Sequence, residues 1–237
     1  MKNTSSNPAS KRFAAVAAAH LIEDDMVVGI GTGSTMAFLI EALGQRIAQE
    51  GLHVVGVPTS YQSRLLCMKL GIPMRDMQDT ASVDLAIDGA DEVDGNLDLI
   101  KGGGASQTRE KIVAAMARQF VVIIDESKLV DKLGSTFAIP IEVLPAALAF
   151  VENAIRQLGG DPVLRIGLRK DGPVVTDNGQ FLFDVRFPPT ADLRAVDKVL
   201  HNTPGVIETG LFFDMAKKVL VGMGQPDSLT LKTLARP

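Results

Sequence analysis

The sequence predicts an α/β protein: a Rossmann-like, doubly wound parallel sheet with a smaller ferredoxin-like α+β domain. Short apolar runs alternate with segments of helical period up to residue 130, the pattern of a parallel sheet with helical crossovers. Glycine turns and acidic residues follow these runs, at the carboxyl ends of strands, where open α/β sheets bind ligands. From Ile139 the order becomes strand, helix, strand, strand, helix, strand, that of a split β-α-β unit.

After a polar start, Lys11–Leu21 is alanine-rich and predicts a helix. Met26–Ile30 predicts a buried strand, Gly31-Thr32-Gly33-Ser34-Thr35 a turn, and Met36–Ala48, apolar at helical spacing, a second helix. Val54–Val57 is the next strand. Pro58-Thr59-Ser60 opens a helix over Tyr61–Leu70, which Gly71-Ile72-Pro73 breaks. Val83–Ile87 predicts a parallel strand buried on both faces. A helix over Thr108–Gln119 and a strand over Phe120–Ile124 complete the alternation.

In the second region the strands are placed at Ile139–Val143, Val163–Leu168, Phe181–Phe187 and Val206–Thr209, and the helices at Ala146–Leu158 and Ala191–His201. Thr176-Asp177-Asn178-Gly179 supports a hairpin before Phe181, because Asn-Gly readily takes positive φ. A last strand, Lys218–Gly222, is expected to rejoin the first sheet. The larger domain is thus assigned residues 1–135 and 211–237, and the smaller 136–210.

At 237 residues the chain can bury a substantial core. Its 24 basic and 28 acidic residues give a net charge of −4, and no segment concentrates Lys and Arg, which argues against nucleic acid as a partner. Cys67 is the single cysteine, so no intramolecular disulfide can form. The first ten residues lack the apolar core of a secretory signal, and the apolar runs stop short of the roughly 20 residues of a membrane helix. A cytoplasmic protein without membrane association is expected.

Chemistry concentrates in a few motifs. Gly29-Ile30-Gly31-Thr32-Gly33-Ser34-Thr35 joins a strand to a helix, where backbone N–H groups and the helix dipole can hold a phosphate. It lacks the lysine and final glycine of a Walker loop. Ser34 stands where a dinucleotide fingerprint needs its third glycine, and Pro58-Thr59-Ser60 replaces the acidic residue that would grip a ribose. A small phosphate group remains, or a tight turn with a Ser/Thr helix cap.

Asp88 and Asp91 follow a strand; each can bind a ligand or serve an acidic turn. An EF-hand is excluded, because Ala90 and Glu92 stand where its loop needs Asp or Asn. Lys101-Gly102-Gly103-Gly104 can bring backbone amides and an ammonium to an oxyanion, and three successive glycines favour a binding loop over a linker. Glu110 lies in a helix's first turn, where the dipole alone would favour it. His20, His53 and His201 lack ligand spacing and read as structural, and Cys67 as a packed helix residue. In Asp125-Glu126-Ser127-Lys128, Lys128 can reach the carboxyl-end crevice or point to solvent.

Taken together, Gly31–Thr35, Asp88-Gly89-Ala90-Asp91-Glu92, Lys101–Gly104 with Thr108-Arg109-Glu110-Lys111-Ile112, and Asp125–Lys128 resemble ribose-5-phosphate isomerase of the A type. The resemblance extends over nearly the whole chain, including the second domain and Pro204 to Phe212. Ser106-Gln107 departs from the small or apolar pair usual after the triple glycine, and the tail beyond Gly224 is longer than usual.

The resemblance implies interconversion of ribose 5-phosphate and ribulose 5-phosphate in the pentose phosphate pathway, without metal or other cofactor. It implies Glu110 as the base that moves a proton between C2 and C1 through an enediolate. A normal Glu is a weak base at neutral pH, so partial burial is expected to raise its pKa. Asp88 would assist ring opening and, with Gly89, Ala90 and Asp91, hold the sugar. Lys101 would offset charge on the enediolate oxygens, with Gly102, Gly103 and Gly104 beside it. Thr32, Gly33, Ser34 and Thr35 would cradle the phosphate or the sugar end beside it, with Lys128 adding a sugar or phosphate contact and Lys11 a further phosphate contact. Homodimers or homotetramers are implied, consistent with the number of phenylalanines at Phe181, Phe183, Phe187, Phe212 and Phe213. A non-catalytic sugar-phosphate sensor, an acyl-CoA transferase and an amino-sugar-phosphate deaminase are the competing readings.

Overall fold

The computed structural model describes residues 7–168 and 171–236. In chain order the first half comprises α1 (Pro8–Ala19), β1 (Val27–Ile30), α2 (Ser34–Glu50), β2 (Val55–Pro58), α3 (Tyr61–Lys69), β3 (Val83–Asp88), β4 (Glu92–Val93), β5 (Leu99–Ile100), α4 (Gln107–Met116) and β6 (Ala117–Asp125). The second half comprises β7 (Ile139–Val143), α5 (Leu148–Gln157), β8 (Asp161–Leu164), β9 (Phe181–Arg186), α6 (Leu193–His201), β10 (Val206–Thr209), β11 (Leu211–Phe212), β12 (Lys218–Met223) and β13 (Thr230–Ala235). These elements form two compact units. The first holds the described residues up to Ala90, Arg109–Leu129 and those from Asp214 on; the second holds Asp91–Thr108 and Val130–Phe213.

The first unit is built on a six-stranded sheet of order β13-β12-β6-β3-β1-β2, parallel except for β13. One face of its strands supplies Val28, Ile30, Leu85, Ile87, Val121 and Ile123 to a core shared with α1, α2 and α3. Side chains alternate along a strand, so Gly29 faces the other way, and a Cβ there would lie 2.3 Å from Val113 Cγ1 of α4. Helices therefore cover both faces, as the doubly wound reading requires. Cys67 is buried in this core, and burial pushes its thiol up to about 11.

Two helix boundaries and one added strand in this unit differ from the expectation for physical reasons. Helix α1 starts at Pro8, because Asn7 Oδ1 accepts the Ala9 and Ser10 N–H groups at 3.0 and 3.4 Å and proline suits a first helical position. The helix expected to reach Gln119 ends at Met116, since Ala117 and Gln119 pair with Val83 and Leu85 of β3. The unexpected β13 pairs antiparallel with β12 from Lys218–Ala235 to Met223–Thr230 on the sheet's edge.

The second unit carries the split β-α-β order β7-α5-β8-β9-α6-β10, and its four-stranded antiparallel sheet runs β10-β7-β9-β8. This is the ferredoxin-like arrangement. Strand β8 ends at Leu164, short of the expected Leu168; Ile166 makes only an isolated bridge to Pro173. The expected turn forms, with the Gly179 N–H donating to the Thr176 carbonyl at 2.9 Å and Gly179 at φ +79°. A small sheet, β11-β5-β4, was not expected: Leu211 and Phe212 pair with Ile100 and Leu99, which pair with Glu92 and Val93. That long-range pairing accompanies the grouping of Asp91–Thr108 with the second unit, where the sequence reading gave 91–108 to the larger domain. The phenylalanines pack inward: Phe183 and Phe212 are buried, and Phe181, Phe187 and Phe213 pack against the core that holds Phe183.

Of the histidines, His201 has the most defined setting, its Nδ1 2.9 Å from the Asp197 carbonyl and its Nε2 2.7 Å from Glu208 Oε1. Burial works against the charged ring, but the Asp197 carbonyl and the Asp197 and Glu208 carboxylates outweigh it and raise the pKa above its ordinary value. A raised folded-state pKa contributes stability that is fully present below the unfolded value and fades as pH rises through the folded one. Replacing His201 by Gln should therefore lower Tm most below pH of about 6.5, the deficit shrinking at higher pH. Thermal melts across a pH series check this.

Candidate functional site

The first unit supplies a phosphate-sized turn and a buried carboxylate beside it. β1 delivers the chain into Gly31-Thr32-Gly33, and α2 begins at Ser34. Gly33 occupies φ +107°, a region open to glycine, and caps the helix without a side-chain hydrogen bond. The Ser/Thr cap expected as one reading is thus absent here, and the N-terminus of α2 keeps the character that suits an anion. The Gly33 N–H donates to Gln62 Oε1 at 3.1 Å. Thr32 Oγ1 lies 2.6 Å from Ser60 Oγ and 2.9 Å from Thr59 Oγ1, which ties the turn to the end of β2.

Asp88 ends β3 and is 3% exposed. Its Oδ1 accepts the Thr32 N–H at 3.1 Å and the Gly89 N–H at 2.7 Å, so the carboxylate is fixed against the turn by backbone donors. Gly31 makes this approach possible: a Cβ there would lie 2.0 Å from Asp88 Cγ. Lys11 Nζ lies 3.5 Å from Ser34 Oγ and 3.8 Å from Asp125 Oδ2, which brings this lysine to the start of α2. Glu110 lies in the first turn of α4 and is 5% exposed. Lys128 sits half-buried in the 3-10 turn after β6, and its side chain makes no hydrogen bond or ion pair with the described residues.

The second unit holds Asp91 and the glycine loop. The Asp91 N–H donates to the Ile100 carbonyl at 2.8 Å, and its Oδ2 accepts the Gly103 N–H at 2.8 Å. Lys101 is 3% exposed; its N–H donates to the Gly210 carbonyl at 2.9 Å and its Nζ lies 5.6 Å from the centre of the Phe212 ring. Gly102 has φ +108°, and a Cβ on Gly103 would lie 2.7 Å from Asp91 Oδ1. Lysine, aspartate and glycine loop thus form one packed group within this unit.

Several residues of these surroundings carry no role in the sequence reading. Glu92, fully buried, accepts the Gly134, Thr136 and Phe137 N–H groups and the Thr136 hydroxyl, each at 2.6 Å. Glu142 is likewise buried and accepts from Thr108, from Thr176 Oγ1 at 2.5 Å and from Asn178 Nδ2 at 3.2 Å. Glu142, an acid flanked by Ile141 and Val143 in a short strand, carries a local signal that could have found it; Glu92, between Asp91 and Val93, carries none beyond its place in the acidic motif. Arg165, which donates to the Gly102 and Gly103 carbonyls, and Gln62 have no such signal.

Gln107, the departure noted after the triple glycine, is fully buried, and neither amide atom hydrogen-bonds to a described residue. A buried polar group without a partner costs about 1–3 kcal/mol. Gln107→Leu should therefore raise stability by about 1 kcal/mol or more, read as a higher urea midpoint at unchanged slope.

Among the described residues no group of three or more His, Cys, Asp or Glu is arranged to hold a metal ion. No helix among them is long and apolar enough to cross a membrane.

The family model for Ribose 5-phosphate isomerase A (phosphoriboisomerase A) matches residues 55–225. The chain is 54% identical over 220 residues to ribose-5-phosphate isomerase A of Thermosynechococcus vestitus, covering 91% of this chain and 93% of that one. With the Methanosarcina acetivorans protein of the same name it shares 49% over 216 residues, covering 91% and 92%. The solved ribose 5-phosphate isomerase A of Methanocaldococcus jannaschii superposes with a TM-score of 0.90 at 47% identity, over 97% of this chain and all of that one. A D-ribose-5-phosphate isomerase in complex with phospho-erythronic acid gives 0.91 at 45% identity, over 96% and 98%.

Proposed function

The chain belongs to the ribose 5-phosphate isomerase A family, and on that premise we propose that Glu110 is the base of the isomerisation. The activity is the interconversion of ribose 5-phosphate and ribulose 5-phosphate. Glu110 takes the C2 proton of the open-chain aldose, leaving an enediolate, and returns a proton to C1, while the hydroxyl proton passes from O2 to O1. The observation that carries this is a carboxylate only 5% exposed, in the first helical turn after the glycine loop, within a segment that matches the family's motif. A buried, positioned carboxylate can act as a general base, and a single one serves both transfers when they occur on the same face of the sugar.

The other roles follow from chemistry residue by residue. Asp88, fixed by two backbone donors, is assigned to ring opening and, with Gly89, Ala90 and Asp91, to holding the sugar hydroxyls. Lys101 offsets the enediolate charge, and Gly102, Gly103 and Gly104 form the wall of the site beside it. Thr32, Gly33, Ser34 and Thr35, with Lys11, hold the phosphate at the start of α2; Lys128 is assigned a further contact to the sugar or the phosphate. The pathway needs no cofactor and no metal.

Deuterium tracing tests the enediolate. Conversion in heavy water should place deuterium at C1 of ribulose 5-phosphate. Complete carry-over of a C2 label to C1, with no solvent exchange under any condition, would instead assign a hydride shift.

Self-association and a cytoplasmic location belong to the same reading. Phe150, Val163 and Ile166 of the second unit are each more than half exposed, and apolar side chains of this kind suit a contact between copies. Sedimentation velocity should give a dimer or tetramer.

A further inference from the structure

Arg165 follows β8, and its side chain is 15% exposed. Its Nε donates to Asp184 Oδ2 at 2.9 Å and its Nη2 to Asp184 Oδ1 at 2.5 Å, a two-pronged pair with β9. Its remaining nitrogen turns elsewhere: Nη1 donates to the Gly102 carbonyl at 3.0 Å and to the Gly103 carbonyl at 3.4 Å.

That third prong sets the direction of two peptide planes. A trans peptide holds its C=O and N–H antiparallel. With the Gly102 carbonyl on Arg165, the Gly103 N–H points the opposite way, where it meets Asp91 Oδ2 at 2.8 Å. The next plane has its carbonyl on the same nitrogen, so the Gly104 N–H also faces away from Arg165. Gly104 is exposed, and its N–H donates to no other described residue.

Triple glycine is the most conformationally free sequence a loop can have. Here the freedom cannot be removed by a side chain at Gly103, because a Cβ would crowd Asp91 Oδ1 and Phe137. Inside the loop the Gly102 carbonyl also accepts the Ala105 N–H at 3.0 Å; from outside, the planar guanidinium of Arg165 holds a carboxylate and both the Gly102 and Gly103 carbonyls at once.

We propose that Arg165, oriented by Asp184, is a positioning residue for the isomerisation, fixing the Lys101–Gly104 loop so that its Gly104 N–H is directed at the oxyanion of the intermediate. This rests on the isomerase reading above. The pair lies outside every motif that the family resemblance uses.

The test uses the full chain with Arg165→Met, Arg165→Lys and Asp184→Asn. It reads kcat and KM for ribose 5-phosphate, inhibition by phospho-erythronic acid, inhibition by inorganic phosphate, and Tm. The carboxylate of phospho-erythronic acid stands in for the enediolate oxygens. Arg165→Met and Arg165→Lys should both lose about 30- to 100-fold in kcat and in phospho-erythronic acid affinity, the scale of a misplaced oxyanion donor. Inhibition by phosphate, which draws on the Gly31–Thr35 turn and its lysines and not on the glycine loop, should stay within about three-fold, and Asp184→Asn should show the same pattern more weakly. Full activity in Arg165→Met or in Arg165→Lys overturns the proposal. So does a uniform loss of kcat, phosphate affinity and Tm, which would make the pair a fold-holding contact only. An inactive parent protein would refute the isomerase reading and with it this inference, a result distinct from active parent and indifferent variants.

Discussion

Glu110→Gln should lose about 10²- to 10⁴-fold in kcat while its affinity for ribose 5-phosphate stays near that of the parent protein. The substitution keeps the size of the side chain and one acceptor oxygen but replaces the basic oxygen with an amide NH2. In the proposed site the phosphate and the hydroxyls are assigned to other groups, so ground-state affinity should survive. The loss falls on the step in which a proton leaves C2. Glu110 also lies in the first turn of α4, where a carboxylate interacts favourably with the helix dipole, typically by about 0.3–1 kcal/mol. A small drop in Tm is therefore expected with the large kinetic effect. Pre-steady-state binding and turnover on the same preparation separate the two, and near-native turnover in the folded variant would remove Glu110 from the mechanism.

Gly31→Ala should nearly abolish activity for a steric reason. The φ of Gly31 is outside the left-handed region, so alanine meets no backbone obstacle there. The obstacle is Asp88: the added methyl would lie 2.0 Å from its Cγ, 2.1 Å from Oδ1 and 2.6 Å from Cβ. Either the turn or the carboxylate must move, and each movement breaks the Thr32 N–H to Asp88 Oδ1 hydrogen bond. Overpacking of this kind costs about 1–3 kcal/mol of stability. Because the displaced groups are those assigned to ring opening and phosphate binding, kcat/KM should fall by about 10²-fold or more. Gly33→Ala supplies the contrast, since no atom lies within 4 Å of a Cβ there and only the φ of +107° opposes it. Equal activities of Gly31→Ala and the parent protein would show that Asp88 need not sit against the turn.

The sequence was legible where its physics is local. β1, β3 and β6 read as buried because both faces of each are covered, which leaves short apolar runs, and the glycine turn after β1 announces itself by composition. The ferredoxin-like order was readable for a related reason: Val206–Thr209, between Gly205 and Gly210, and Ile139–Val143, with Pro145 two residues beyond it, have the observed bounds. What escaped depends on partners far away in the chain. The strands β4, β5 and β11 have two residues each and exist only because they pair with one another. The edge strand β13, mostly exposed and mixed in polarity, has a pattern too weak to read without β12. Residues 117–119 were read as helix because helical period runs past Met116, and the ladder with β3 overrides it.

The candidate site divides in the same way. Asp88, Asp91, Lys101 and the glycines could be named from motifs, and Lys11 was reached only weakly, since its place beside Ser34 depends on how α1 packs. Arg165 and Asp184 could not be named, because a guanidinium that reaches glycine carbonyls across a fold leaves no local trace. Glu92 shows the intermediate case: it stood inside a recognised motif, yet its partners at Gly134, Thr136 and Phe137 are visible only in three dimensions.

The most direct test of the central claim is the conversion of ribose 5-phosphate to ribulose 5-phosphate by the purified protein after exhaustive treatment with a chelator. The account predicts saturable turnover at a rate unchanged by chelation. Folded protein that binds the sugar phosphate without converting it would contradict the account and leave a sugar-phosphate sensor. Turnover lost on chelation and restored by added metal would contradict the metal-free mechanism.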